Sequence, residues 1–305
     1  MTSASLPVPA RTKRAGNGRV GARTRAGYAF VSVFLVLLLL FGVLPTGYAL
    51  YLSLTSPGGS WSGLHNFWAT LHDFRFAPAF EHIGIYLVIW LTVLVVLVLV
   101  LALMLHGGLR RAVPIFRFLF YLPGALAGSA SVLVWVFMLD PPISPWHFLL
   151  SPFHFSDLPQ VVAPANLPAI FAVIAFWTGA GGWIVVMNGA LNNISDEVID
   201  SAKIDGANAW QMAIRIKLPL IKRWVAYMAI LAFAAGTQLF VEPQLVGAAS
   251  LGLVSNTWSP NQLAYYLATQ NANFNYAAAI SVDLLIVGLM AAMLLVFRSK
   301  LFELD

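Results

Sequence analysis

Six long apolar runs, separated by polar or glycine- and proline-containing breaks, organise this chain. They fall at about residues 28–54, 84–105, 115–139, 168–191, 220–247 and 276–297. Each reaches the roughly 20 residues that a helix needs to cross the hydrocarbon core of a bilayer. The expected architecture is therefore all-α: a polytopic membrane protein with six transmembrane helices. Pro123 and the run Gly179-Ala180-Gly181-Gly182 lie inside spans. Neighbouring helices and small-residue contacts tolerate both, and helix packing accounts for the glycines better than solute contact does.

The longest charge-bearing interval between runs in the second half is Ser195 to Ile221, SDEVIDSAKIDGANAWQMAIRIKLPLI. Ser195 is placed to cap a helix whose positive N-terminal end is favoured by Asp196 and Glu197. Val198, Ile199 and Ala202 recur at helical spacing, so one face is apolar. Gly206 interrupts the pattern with backbone freedom that other residues lack. A second short helix then carries Ala207, Trp210, Ile214 and Leu218 on one stripe, with Asn208, Gln211 and Arg215 off it. Pro219 stands where a further helix can begin, because its missing N–H costs nothing there. The reading is helix, glycine hinge, helix, then a proline-started apolar span.

Composition and charge narrow the class. The chain is 60% hydrophobic and only 10% charged, against roughly 25% charged for a soluble domain. It has no cysteine, which removes disulfides and thiol chemistry. The net charge of +5 is a matter of orientation. Residues 1–27 form a basic, polar tail with Arg11, Lys13, Arg14, Arg19, Arg23 and Arg25, expected to be disordered and cytoplasmic. The apolar run that follows exceeds a signal-peptide core of roughly 7–15 residues, so it reads as an uncleaved first span. With the N-terminus inside, Arg110, Arg111, Arg117, Lys203, Arg215, Lys217, Lys222, Arg223, Arg298 and Lys300 also fall inside. Only Arg75 of the 17 Lys and Arg is outside. Positive charge on the inner side orients membrane proteins, so the pattern argues against a nucleic-acid surface and puts both termini and the 195–219 interval in the cytoplasm.

That interval resembles a signature of permease subunits of bacterial binding-protein-dependent ABC importers: Glu-Ala-Ala, three residues, Gly, nine residues, then Ile, any residue, Leu-Pro. Here it reads Asp200-Ser201-Ala202, Gly206 and Ile216-Lys217-Leu218-Pro219, with both spacings kept and with Asp and Ser in place of Glu and the first Ala. The run Lys203-Ile204-Asp205-Gly206-Ala207, with Trp210-Gln211 after it, looks most like the carbohydrate-uptake branch with maltose- and glycerol-phosphate-type permeases. The resemblance covers most of the chain after residue 27. It includes Ser53-Leu54, Gly63-Leu64-His65-Asn66-Phe67, Phe116-Arg117, Leu122-Pro123, Trp135, Asp140-Pro141 and Tyr276-Ala277-Ala278-Ala279-Ile280-Ser281. One departure bears on the solute: after the fifth span Glu242-Pro243 is followed by Val246-Gly247-Ala248-Ala249, where the family commonly has a Thr-Gly-Gly-Pro-like turn.

The resemblance implies a bacterial cell-membrane permease forming half of a translocation pathway for a sugar or sugar-like solute. It implies as partners a second permease subunit, paralogous rather than identical, two cytoplasmic ATPase subunits and an extracytoplasmic solute-binding protein. ATP and magnesium would sit on the ATPases, with no cofactor on this chain. Asp200, Ala202, Asp205, Gly206, Ala207, Trp210, Ile214, Ile216, Leu218 and Pro219 would couple to the ATPase as a cytoplasmic helix-turn-helix between spans four and five.

The residues themselves offer no rival enzyme chemistry. There is no G-x-x-x-x-G-K-[ST] phosphate loop. The six histidines (His65, His72, His82, His106, His147 and His154) form no i, i+4 pair for a metal. Ser129 and Ser131 lack a neighbouring base. Neither a catalytic residue nor a metal site is expected. Candidates for the solute path are Trp177, Gln238, Glu242 and Asp283, since aromatic faces and hydrogen-bonding groups in an apolar surround suit sugars. Asp283 should face a cavity or be paired, because a charge inside a membrane is costly. Asn188, near the cytoplasmic end of its span, reads as structural. Pro260 and the amphipathic stretch 261–270 fit either an outer-surface helix that receives a binding protein or an interfacial aromatic belt. Two other classes stay open: an ion-coupled secondary transporter, which would need coupling-ion residues within the spans and often an internal repeat, and a membrane-anchoring or assembly subunit, which would need no polar path. Within the importer class, a polyamine or phosphate ester is the alternative solute.

Overall fold

The computed structural model describes residues 17–107, 113–125 and 128–299. The tail through residue 16, together with Arg110, Arg111 and Lys300, all used above for orientation, lies outside the described residues. The chain divides into two compact units, 1–51 and 52–305.

The first unit is a helical rod. It comprises α1 (Asn17–Leu38), a π-turn over Leu39–Val43 and the start of α2 (Leu44–Ser53). Its large apolar side chains from Tyr28 to Tyr51 are exposed, as suits a segment solvated by lipid.

The second unit is a helix bundle. The short helix α3 (His65–Leu71) precedes the 32-residue α4 (Phe76–Gly107). Helices α5 (Val113–Ala125) and α6 (Gly128–Leu139) follow, with an axis change of 105° between them. Two one-turn helices, α7 (His147–Leu150) and α8 (Leu158–Val161), lead to α9 (Leu167–Asn192). The polar interval forms α10 (Asp196–Ile204), α11 (Ala209–Gln211), a π-turn at Met212–Lys217 and α12 (Leu218–Leu220). Helices α13 (Lys222–Gly236), α14 (Val241–Ala249), α15 (Pro260–Thr269) and α16 (Phe274–Ser299) complete it.

Among the described residues four helices are long and apolar enough to cross a membrane: Gly27–Ser53, Phe76–His106, Leu167–Asn192 and Phe274–Arg298. Two bent pairs, Phe118–Gly124 with Gly128–Leu139 and Ala209–Leu220 with Lys222–Gly236, bring the number up to six if each is one span. An all-α polytopic architecture is therefore what the chain adopts. Two of the apolar runs nevertheless are not single helices. The 115–139 run bends between α5 and α6, and the 220–247 run ends its first helix at Gly236 and restarts at Val241.

The core forms where α4 meets α9 and α13. Tyr86, Leu87, Trp90, Leu94, Val98 and Ala102 make a buried stripe along α4 at three- and four-residue intervals. Lipid is as apolar as leucine, so such helices associate through close van der Waals contact rather than hydrophobic exclusion. Small residues supply that contact. A Cβ on Gly179 would lie 3.4 Å from the Trp90 ring, and one on Gly236 only 2.6 Å from a Leu87 methyl. On α5, a Cβ at Gly124 would stand 2.7 Å from the backbone oxygen of Thr178 on α9. The glycine run in the fourth span is thus used for packing at Gly179.

The end of the bundle that carries α3 and the start of α16 is tied by buried amides. Asn66 Nδ2 donates to the carbonyls of Ser53 (2.9 Å) and Thr55 (2.8 Å). Asn275 Nδ2, at the start of α16, donates to Leu52 O (3.0 Å) and Thr55 O (2.7 Å). The amphipathic stretch at 260–270 does not spread its apolar face on a membrane. Leu263 and Leu267 are buried with Ala79 and Ile280, on α4 and α16.

Candidate functional site

The hairpin at 195–219 is built by two consecutive caps. Helix α10 ends in a Schellman arrangement: Ala207 N–H donates to Ala202 O (3.0 Å) and Gly206 N–H to Lys203 O (3.0 Å). This closure requires a left-handed residue, and Gly206 has φ +82°. No heavy atom lies within 4 Å of a Cβ built there, so the demand for glycine is one of backbone angle and not of space. Two residues later a capping box starts the next helix. Gln211 N–H donates to Asn208 Oδ1 and Asn208 N–H to Gln211 Oε1, both at 2.9 Å. Ser195, in extended conformation before α10, makes no side-chain cap bond; Asp196 and Glu197 occupy the first turn as expected.

Beyond the caps the segment departs from a simple helix. The π-turn at Met212–Lys217 is marked by Leu218 N–H bonding to Ala213 O. Its i→i+5 pattern brings Met212 and Lys217 onto one face, whereas an α-helix would set residues five apart at about 140°. Both are buried. The stripe of Ala207, Trp210, Ile214 and Leu218 is accordingly split. Leu218 packs on the main core, while Trp210 and Ile214 face outward. Pro219 does not begin a new span. It continues a helix running from Ala209 to Leu220, and the 69° bend comes after it, at Ile221.

Among the polar residues of the hairpin surface, four apolar side chains are exposed: Ile204 (86%), Trp210 (74%), Val198 and Ile214. Ile204 belongs to the run Lys203–Ala207 but carries no coupling role in the sequence reading, because it falls off the Val198–Ile199–Ala202 stripe. Asp200 is already engaged by Lys203 at 2.8 Å, an exposed pair of the kind that contributes little. Asp205 and Ala207 occupy the turn, Ala202 is buried beneath it and Ile216 is half-buried. On the inward side, Lys217 is only 8% exposed, and its Nζ lies 2.8 Å from His106 Nδ1 in the last turn of α4.

At the other end of the bundle the break between α13 and α14 lines a cleft. Residues 237–240 leave helical geometry, and their carbonyls are taken up by the outer loop. Ser259 Oγ donates to Leu239 O (2.9 Å), and Asn261 Nδ2 donates to Thr237 O (3.2 Å). Irregular backbone at this depth is tolerated only where protein or a cavity surrounds it. The cleft has a volume of about 430 Å³, and Gln238, Asn261, Tyr265, Ala278 and Ser281 are among its lining residues. Tyr265 stands edge-on to Phe240, ring centroids 5.3 Å apart.

The other path candidates lie elsewhere. Trp177 belongs to a tryptophan cluster, 6.0 Å from Trp135 and 6.3 Å from Trp146 between ring centroids. Beside it, a second and nearly all-apolar cleft of about 390 Å³ is lined by Trp135, Leu139, Phe153, Phe155 and Ile170. Glu242 is half-buried in the first turn of α14. Asp283 has a buried Oδ2 with no hydrogen-bond partner among the described residues and lines neither cleft. Asn188 is buried at the inner end of α9. Of the four candidates, Gln238 lines the first of these two clefts, and Trp177, Glu242 and Asp283 line neither. Asn261 and Ser281 join it there; in sequence Asn261 opens the amphipathic stretch 261–270 and Ser281 ends the run Tyr276–Ser281, and neither position marks a solute contact.

Comparison with known proteins places these features in context. The family described as binding-protein-dependent transport system inner membrane component matches residues 108–300. The chain is similar to the probable ABC transporter permease protein YesP of Bacillus subtilis, 26% identical over 282 residues, covering 88% of this chain and 89% of that protein. It is also similar to the multiple sugar-binding transport system permease protein MsmF of Streptococcus mutans, 27% identical over 287 residues, covering 91% and 96%. In fold it is similar to a chain of a bacterial ABC transporter involved in the import of the acidic polysaccharide alginate. That match has a TM-score of 0.76 at 21% identity, covering 94% of this chain and 99% of the other.

Proposed function

The chain belongs to the binding-protein-dependent transport system inner membrane component family, and we propose that as an ABC importer permease it carries a sugar or sugar-like solute. It forms half of the translocation pathway beside a second, paralogous permease. Two cytoplasmic ATPases, holding ATP and magnesium, dock on the 195–219 hairpin, and an extracytoplasmic binding protein delivers the solute at the opposite face. Both termini are cytoplasmic in this arrangement, in keeping with the distribution of basic residues.

The observation that carries the coupling role is the exposure of the apolar side chains Ile204, Trp210 and Ile214 on a hairpin whose backbone is fixed by two caps. Large apolar side chains held on a fixed backbone and left uncovered suit a protein contact. A pre-ordered segment also loses little conformational freedom on docking. The sugar assignment rests on the cleft at Gln238, Asn261, Tyr265 and Ser281, where amide and hydroxyl groups flank an aromatic face. It also rests on the sugar-linked names of the relatives.

Truncation of interface anchors commonly costs 2 kcal/mol or more, about 30-fold in affinity. Ile204→Ala and Trp210→Ala should each weaken retention of the ATPase on purified membranes' permease complex by at least that factor, with solute uptake falling in parallel. Full retention in both variants would remove the docking role.

A further inference from the structure

The hairpin has three routes into the bundle. Two are covalent, from α9 through Asn193 and Ile194 and through the 69° bend at Ile221 into α13. The third is a side-chain bridge to α4. Lys217 is buried, yet its residue type belongs at a surface, and burying an ammonium is costly unless it is held by partners. The π-turn over Met212–Lys217 is what rotates it inward, and π-turns inside α-helices cluster at functional positions. An ammonium can only donate, so the 2.8 Å contact calls on Nδ1 of His106 as the acceptor. His106 lies in the last turn of α4, where the helix dipole also favours a positive charge.

We infer that Lys217 is a positioning residue that locks the hairpin to the inner end of α4, so that a displacement of the hairpin is delivered directly to the helix at the centre of the bundle. The buried stripe of α4 packs on both α9 and α13, so this helix can pass motion to more of the bundle than α13 alone. The inference rests on the coupling role proposed above and adds to it a route that the bend at Ile221 does not supply.

The test uses the complete permease–ATPase complex in lipid nanodiscs. The chain has no cysteine, so Glu81→Cys on α4 and Leu251→Cys, both exposed, can carry spin labels. The distance between them is measured with and without ATP plus vanadate. In the otherwise unchanged chain, trapping shifts this distance. Lys217→Met and His106→Leu each keep the ATPase bound and hydrolysing but lose more than half of the shift. The double variant is no worse than either single one, since both remove one contact. His106→Gln, whose side-chain oxygen still accepts, keeps most of the shift. A full shift in Lys217→Met, additive losses in the double variant, or loss of the ATPase from Lys217→Met overturns the lock. If the unchanged chain itself retained no ATPase, the coupling role would fail instead, and the two failures are distinct.

Discussion

The 195–219 hairpin and the cleft at the opposite end of the bundle solve opposite problems with the same kind of local chemistry. At the hairpin, hydrogen-bonded caps occupy the turn, and the large apolar side chains Ile204 and Trp210 point away from the protein. At the cleft, the large apolar side chains Leu263 and Leu267 are buried, and polar groups are turned toward an opening. The first is a surface that asks for a protein partner; the second is a space that suits a polar solute. Both depend on side chains satisfying backbone groups where a helix stops, by Asn208 and Gln211 at the hairpin and by Ser259 and Asn261 at the cleft. Stopped helices, not continuous ones, build both candidate sites.

The largest effect expected from breaking that contrast is at Gly206. A β-branched residue in the left-handed region costs on the order of 2 kcal/mol. Because open space surrounds the position, Gly206→Val should leave the bundle folded while misdirecting Trp210. ATPase retention and uptake should then drop together, with thermal unfolding of the bundle little changed. Gly206→Ala, with less strain, should fall between, and equal retention in all three would show that the angle at the turn is immaterial.

The cleft answers to a different substitution. Ala278 sits in its wall, so Ala278→Phe fills the space without touching the hairpin. Uptake should fall by an order of magnitude or more while the ATPase stays bound, the reverse of the pattern for Trp210→Ala. A variant that lost both would mean the two ends are not separable.

A smaller effect is expected at Ser259. Ser259→Ala leaves the Leu239 carbonyl without its side-chain donor, at a cost of about 1–3 kcal/mol for a buried unsatisfied group. A lowered unfolding midpoint in detergent, with ATPase retention intact at growth temperature, is the expected outcome.

The smallest is a pH effect at the outer rim. Arg75 Nε and Nη2 donate to Asp73 Oδ1 (2.8 Å) and Oδ2 (2.6 Å), and the guanidinium also lies 5.2 Å from the centre of the Tyr266 ring on α15. The hydrogen bond from Arg75 holds the Asp73 carboxyl below its ordinary range, partly opposed by burial. A carboxylate lowered by folding stabilises the fold at pH above its unfolded value, and that contribution is lost as pH falls through the lower folded value. Acid should therefore loosen the rim, and Asp73→Asn should abolish that part of the acid sensitivity while costing about 1 kcal/mol or less near neutrality. Hydrogen exchange across residues 72–76 at stepped pH measures it; an unchanged acid profile in Asp73→Asn would assign the effect to other groups.

Much of this molecule was legible in the order of its residues. Runs of apolar side chains long enough for a bilayer announced a helical membrane bundle, and the Gly206-to-Pro219 spacing announced the hairpin. Hydropathy could not reveal where an apolar run stops being one helix, because it records side-chain character and not backbone satisfaction. The 220–247 run hid its break for that reason, although Thr237-Gln238 is a polar pair within it. Helical periodicity also assumes 3.6 residues per turn, so the π-turn at Met212–Lys217 moved Leu218 and Lys217 to faces that no regular wheel places correctly. Ile204 was missed because an isolated apolar residue beside a turn has no periodic partner. Gln238 reached a cleft, whereas Trp177, Glu242 and Asp283 were equally polar or aromatic in sequence and took other surroundings.

The most direct test of the central claim is a photo-crosslinker placed at Trp210 in the intact cell membrane. Irradiation should join this chain to an ATPase subunit in high yield, with the yield changing when ATP hydrolysis is trapped by vanadate. Adducts with lipid alone, and none with protein, would contradict the claim that the hairpin is the point at which the importer is driven.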